Sequence, residues 1–276
     1  MTARTLPLTP GGRPVPPASP PRGGALRWWL SDVLVLTQRS LARIVREPET
    51  LMDVTIQPIV FVLLFAYVFG SAIAIPGGGS YPEYLIGGML GMGLAGTAPG
   101  TAVALVTDMS TGLIDRFRSL PMSRAAVLAG RTLADLCRNV FVVLLMTVVG
   151  VAVGFRTSKG PFAYLAGVLI VLLFSFALSW GFAVVGINAR NAETAQAMAF
   201  PLLFPLTFAS SAFVPVNTMP GWMQAYARNQ PVSVVVDAAR HLMVGTPGSV
   251  PRALAWSVGL LVVLAPLAVR KYRKAS

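Results

Sequence analysis

The sequence predicts an all-α integral membrane protein with six transmembrane helices. An N-terminal amphipathic interfacial helix precedes them, and an extracellular re-entrant helical segment stands before the last span. Hydrophobic residues make up 55% of the 276 and charged residues only 12%, against about 25% charged in an average soluble domain. The apolar residues gather into long runs of membrane-helix length. The basic residues leave a net charge of +12, yet they flank the apolar runs instead of forming one patch, which argues against nucleic acid as a partner.

Taken in order, residues 1–24 hold seven prolines and read as a disordered, basic cytoplasmic tail without the apolar core of a secretory signal. Residues 25–47 place Leu30, Val33, Leu34, Leu41, Ile44 and Val45 near helical spacing, interrupted too often by Arg27, Asp32, Arg39, Arg43 and Arg46 to cross a bilayer. This is the amphipathic helix, with Trp28 and Trp29 at headgroup level.

The six-span region is 51–270. Span one runs from about Leu51 to Ala72, with a kink expected at Gln57-Pro58. Span two is apolar from Tyr84 to Val106; its glycine pairs Gly87/Gly91 and Gly96/Gly100 are spaced for close helix packing. Span three rises out of a charged island, where Arg131, Asp135 and Arg138 are spaced to pair on one helix face. Span four covers about Phe162 to Ile187. Span five, Ala195 to Ser211, is expected to be short and broken because it contains Pro201 and Pro205. Residues 212–252 are too polar to span and too apolar for a solvated loop, so they form the re-entrant segment, with Trp222 and Tyr226 near the interface. Span six is about Ala253 to Val269, and 271–276 is a basic cytoplasmic tail. Seventeen of the 22 Lys and Arg fall on one predicted side, which places both termini in the cytoplasm.

The chemistry is sparse. No GxxxxGK[ST], HExxH or GxSxG motif occurs, and there is one cysteine and one histidine. No catalytic or metal-ligating residue is therefore assigned. The ten acidic residues are placed at the ends of spans or outside them, so the central part of every span is read as free of charge. An ion-coupled transporter usually keeps an acid there, and its absence leaves a transporter in need of an outside motor.

The island supplies the link to a motor. Residues 112–124, GLIDRFRSLPMSR, hold a short charged helix that Pro121 ends, with Ser123 able to cap the next one. On composition alone this is a positive-inside loop. The motif resembles the cytoplasmic loop of type 2 ABC-transporter permeases, in particular the daunorubicin/doxorubicin-resistance exporters. The stretch Val214-Pro215, Met219-Pro220-Gly221-Trp222 and Asn229-Gln230-Pro231-Val232 is similar to the outer re-entrant region of the same family. The likeness extends from about Ala25 to the end.

The resemblance implies a permease that dimerises, with itself or a second permease, and binds two copies of a separate ABC ATPase in the bacterial cytoplasmic membrane. ATP and Mg would be held by that ATPase, and this chain would carry no cofactor. The loop 111–125 would be the coupling loop. Phe117 and Leu120 would fill a groove on the ATPase, Asp115, Arg116 and Arg118 would contact its rim, and Pro121 would fix the corner. Arg39, Arg43 and Arg46 on the amphipathic helix would be secondary contacts.

The cargo would be hydrophobic or amphiphilic, with an antibiotic or drug first in line. Lipid, lipid-linked glycan or polysaccharide export is the rival within the family. An ion-coupled secondary transporter and a membrane scaffold are the rivals outside it. For a cargo path the sequence offers Phe200, Phe204 and Phe208 at every fourth residue, with Thr207, Ser210 and Ser211 beside them. Such a stripe serves either a flat amphiphile or plain helix packing, and serines in spans commonly bond their own backbone.

Overall fold

A computed structural model of the chain describes residues 25–46, 48–68, 81–110 and 124–275. Among these there is no β-strand, and ten α-helices carry nearly all of the chain. They are α1 (Ala25–Arg46), α2 (Pro48–Val68), α3 (Tyr81–Gly96), α4 (Ala98–Ser110), α5 (Arg124–Val153), α6 (Pro161–Asn188), α7 (Ala192–Phe208), α8 (Gly221–Asn229), α9 (Pro231–Val244) and α10 (Val250–Ala275). A short 3₁₀ turn, Val216–Thr218, precedes α8.

Four helical stretches are long and apolar enough to cross a membrane: Glu83–Ser110, Val127–Val153, Pro161–Asn188 and Val250–Lys274. A shorter apolar stretch, Thr55–Val68, and the 17-residue α7 accompany them. The chain is a multi-pass membrane protein.

α6 is the axis of the bundle. Its 28 residues extend about 42 Å at 1.5 Å per residue, longer than a hydrocarbon core of roughly 30 Å. It touches α3, α4, α5, α7, α9 and α10. Its start and stop are written locally: Gly160 at positive φ, then Pro161 in the first turn, and the Asn188–Asn191 corner at the end. Asn191 caps the next helix, accepting a hydrogen bond from Thr194 N at 2.7 Å. α4 lies tight against α6 because Gly186 has no side chain; a Cβ there would come within 2.9 Å of Ala102 Cα.

The outer surface is apolar as well. Exposed Val60, Leu64 and Tyr67 on α2, Leu144 and Val148 on α5, and Val262 and Val263 on α10 would be a liability in water and suit lipid.

α1 departs from the expected stripe. Val33, Leu36 and Thr37 are buried, while Leu30 and Leu34 are exposed together with Val35. The buried set crosses α5 at Gly130, where a Cβ would meet Leu36 Cβ at 2.7 Å, and Thr37 Oγ1 donates to Gly130 O at 3.2 Å. The helix is thus apolar on two faces, one against protein.

Two further expectations change. α7 is continuous through Pro201 and Pro205, so proline removes donors there without ending the helix. Span two is the one that breaks. α3 stops at Gly96, Thr97 is a turn, and α4 restarts at Ala98, with Gly100 N donating to Thr97 O at 3.1 Å. Pro99 and two flanking glycines weaken the helix at that point.

Residues of the predicted outer segments meet one another. Tyr84 reaches Ser211 and Arg240, and Thr157 Oγ1 donates to Met243 O at 2.9 Å. At the opposite end Lys271 Nζ donates to Asn188 Oδ1 at 3.1 Å. Trp222 and Tyr226 are exposed on α8.

Candidate functional site

At the break between α3 and α4, Leu94 O accepts from Thr97 Oγ1 at 2.8 Å, and side chains from two neighbouring helices add further donors to the turn. Ser175 Oγ of α6 donates to Leu94 O at 3.1 Å. Arg138 Nη2 of α5 donates to Thr97 O at 3.2 Å. Thr97 Oγ1 lies 2.9 Å from Asn139 Oδ1, and Asn139 Nδ2 donates to Ser175 Oγ at 2.6 Å. Irregular backbone at membrane depth survives only where such partners exist.

Below this lies a charged cluster on α5. Asp135 is fully buried; its Oδ2 accepts from Thr101 Oγ1 at 2.6 Å. Arg138 Nη2 stands 3.3 Å from Asp135 Oδ1, and Arg131 Nε stands 3.9 Å from Oδ2. The pairing legible from the spacing is present. Its burial is not as expected: Asp135, read as lying at the end of a span, is fully enclosed by protein.

The break and the cluster form one wall of a cavity of about 590 Å³, within the range of a small-molecule site. Met89 and Met92 of α3, Met146 of α5 and Phe61 of α2 make its apolar side. Gln57 and Gln196 bring amides, and Arg131 and Arg138 bring charge. The two glycine pairs of span two divide here. Cβ atoms at Gly87 and Gly91 would run into Arg240 and Val236 of α9, so that pair serves packing. Gly96 and Gly100 line the cavity instead.

A fully buried arginine stands elsewhere in the bundle. Arg240 of α9 is 1% exposed. Its Nε donates to Tyr84 O at 2.8 Å, its Nη1 to Ser211 O at 2.7 Å, and its Nη2 to Ala212 O. Its Nη1 is 3.4 Å from Asp237 Oδ1, and its Cζ sits 3.6 Å above the Tyr84 ring. This knot ties α3, the 209–214 turn and α9 together.

The sequence-predicted site residues fall in different places. Asp115, Arg116, Phe117, Arg118, Leu120 and Pro121 lie outside the described residues. Arg39 is exposed on α1, while Arg43 and Arg46 are described only as part of that helix. Phe200, Phe204 and Phe208 are exposed along α7, the first pair tilted with centroids 5.6 Å apart and the second stacked at 4.5 Å. Thr207, Ser210 and Ser211 are buried. Thr207 Oγ1 donates to Leu203 O of its own helix at 3.0 Å, and Ser211 Oγ donates to Asp237 Oδ1 at 2.7 Å. The two halves of the predicted path therefore face apart, and of α7 only Gln196 borders the cavity. Among the described residues no group of three His, Cys, Asp or Glu is arranged to hold a metal ion.

Sequence reasoning passed over Thr97, Asn139, Ser175 and Arg240. The signals were Gly-Thr-Ala-Pro-Gly at 96–100, and Asp237 three residues before Arg240 in an otherwise apolar run.

A discontinuous helix beside a cavity is a feature found in membrane transporters. Residues 31–244 match the ABC-2 type transporter family, and the chain belongs to that family. It is 35% identical over 246 residues to the daunorubicin resistance ABC transporter permease protein DrrB1 of Streptomyces coeruleorubidus, covering 88% of this chain and 87% of that one. It is 30% identical over 265 residues to the probable doxorubicin resistance ABC transporter permease protein DrrC of Mycobacterium tuberculosis, covering 95% of each. The putative transport permease ycf38 of Porphyra purpurea is 23% identical over 220 residues, covering 79% of this chain and 75% of that one. These relatives are permeases, the membrane components of such systems.

Proposed function

We propose that this chain is the permease subunit of an ATP-driven exporter in the bacterial cytoplasmic membrane. It moves a hydrophobic or amphiphilic compound, an antibiotic or drug first in line, out of the cell. The reading rests on likeness along nearly the whole chain to permeases named for drug resistance. The cavity beside the interrupted helix supports it by offering apolar walls and a few polar groups at one point.

In this reading the chain has six spans, both termini are cytoplasmic, and two permease subunits pair. Two copies of a separate ATPase bind the loop 111–125, and ATP and Mg stay on that partner. Phe117 and Leu120 are the apolar contacts, Asp115, Arg116 and Arg118 the charged rim, and Arg39, Arg43 and Arg46 the secondary contacts. Nucleotide-driven movement of the loop passes into α5, which begins at Arg124 and carries the charged cluster.

The test is a gentle-detergent pull-down of the tagged chain from its native membrane, read by mass spectrometry. A nucleotide-binding subunit is expected to co-purify and to be lost when Phe117→Ala and Leu120→Ala are combined, with membrane insertion unchanged. A chain that purifies alone at full yield overturns the reading.

A further inference from the structure

The cluster on α5 holds more positive charge than it uses. Arg131 and Arg138 face a single carboxylate, Asp135. That carboxylate already accepts from Thr101 on one oxygen. Arg138 is 9% exposed at its side chain and Arg131 is 11% exposed. The Nε atoms of both, and Asp135 Oδ1 between them, are buried without a hydrogen-bond partner among the described residues, so the two guanidiniums leave donors open even beside an open carboxylate oxygen. Arg138 satisfies one backbone carbonyl, Thr97 O, through Nη2. A buried polar group left open calls for an explanation, and a missing ion or ligand is a standard one. A buried guanidinium with spare donors is most stabilised by an anionic oxygen, which it can grip in two places.

Both arginines border the same cavity. The same lining includes thioether and aromatic side chains: Met89, Met92, Met146 and Phe61. Methionines adapt to irregular apolar shapes. A ligand filling this space would set an apolar body against the methionines and an acidic group against the arginines.

We infer that the cavity under the α3–α4 break binds an amphiphile bearing an anionic oxygen, with Arg138 as the main anchor and Arg131 as the second. Calling that amphiphile exported cargo rests on the exporter reading; the binding does not. The same chemistry also belongs to an anionic phospholipid from the surrounding bilayer.

The experiment uses the full chain in nanodiscs of phosphatidylcholine, without the ATPase. Two fluorescent probes share one apolar body: dansyl-aminoundecanoic acid and its methyl ester. After correction for partition into protein-free discs, the acid is expected to bind about tenfold more tightly, the worth of one charge-assisted hydrogen bond. Arg138→Gln removes that preference, Arg131→Gln reduces it, and Arg138→Lys keeps part of it. Asp135→Asn strengthens binding of the acid, a gain that a purely structural role for the cluster does not produce.

Equal affinity for the two probes in the unmodified chain overturns the inference, and that result needs no variant to fold. A preference unchanged in both Arg138→Gln and Arg131→Gln overturns it as well. Repeating the titration in discs enriched in phosphatidylglycerol assigns the source. Competition by the lipid marks a lipid site, and an unchanged affinity marks a cargo site; the anion site stands in either case. An ATPase that co-purifies with a chain showing no acid preference would sink the anion site and leave the exporter. The reverse pair of results would do the opposite.

Discussion

Two arginines of this bundle are treated differently, one buried and one half-buried. Arg240 spends its guanidinium on three backbone carbonyls, one carboxylate and the face of Tyr84. Arg138 has one carbonyl and a share of Asp135, and its Nε is left open. Burial alone therefore does not tell what a charge is for. A charge whose donors are all engaged holds a fold together. One with donors to spare beside a cavity is available to something else.

Breaking the saturated site should have the larger effect on stability. Arg240→Met would strip the guanidinium donors from the carbonyls of Tyr84, Ser211 and Ala212, of which Ser211 keeps the Tyr84 hydroxyl, at a cost on the order of 3–5 kcal/mol. Asp237 is 37% exposed at its side chain and can rehydrate, so the carbonyls carry most of that loss. A thermal melt in mild detergent should show the transition collapse or fall steeply; an unchanged melt would mean that the knot is ornamental.

Gly88→Ala attacks the same knot from α3. Its Cβ would overlap the Ala212 carbonyl oxygen and press on Arg240 Nη2, costing about 1–3 kcal/mol as overpacking. Gly96→Ala is the matched control. Nothing lies within 4 Å of a Cβ there, so its melt should stay within about 0.5 kcal/mol of the unmodified chain. Similar losses from the two would erase the contrast between a packed and an open stretch of one span.

Arg138→Gln should cost less than Arg240→Met, at about 1–3 kcal/mol for one carbonyl bond and the nearer cation of buried Asp135. Its main effect is expected in ligand binding. A loss as large as that of Arg240→Met would place Arg138 among the structural charges.

The helices and the charge pairing on α5 were legible in the sequence, because apolar runs of membrane length and the three- and four-residue spacings are local signals. The burial of Asp135 was not. A charged residue near the start of an apolar run looks like a boundary, and the donor that Thr101 adds from another helix to its paired arginines is not a local signal. Arg240 was counted among the loop charges for a similar reason, since its partners lie 28 to 156 residues away.

Proline misled in both directions. Pro201 and Pro205 marked an expected break that α7 does not have. Pro99 stood at a break that the apolar character of span two concealed. What separates the cases is the company. Glycines surround Pro99, and Arg138 and Ser175 donate to carbonyls beside the break. The predicted cargo path divides because Thr207, at helical spacing from Leu203, turns its hydroxyl back on its own backbone, while the phenylalanine stripe faces outward.

The interruption at Thr97 also has a mechanical side. α3 is fastened to α9 by the Arg240 knot and by the close approach of Gly87, Gly88 and Gly91. α4 is fastened to α6 and α7, with Ala102 seated on Gly186. A single rod would transmit a push on one half directly to the other. Here the second span is two half-rods that share neighbours but differ in their tightest contacts, α3 with α9 and α4 with α6, and the seam between them borders the cavity. Load arriving through α4 can be absorbed at residues 96–98 by exchanging a few side-chain hydrogen bonds, while the α3–α9 assembly keeps its packing.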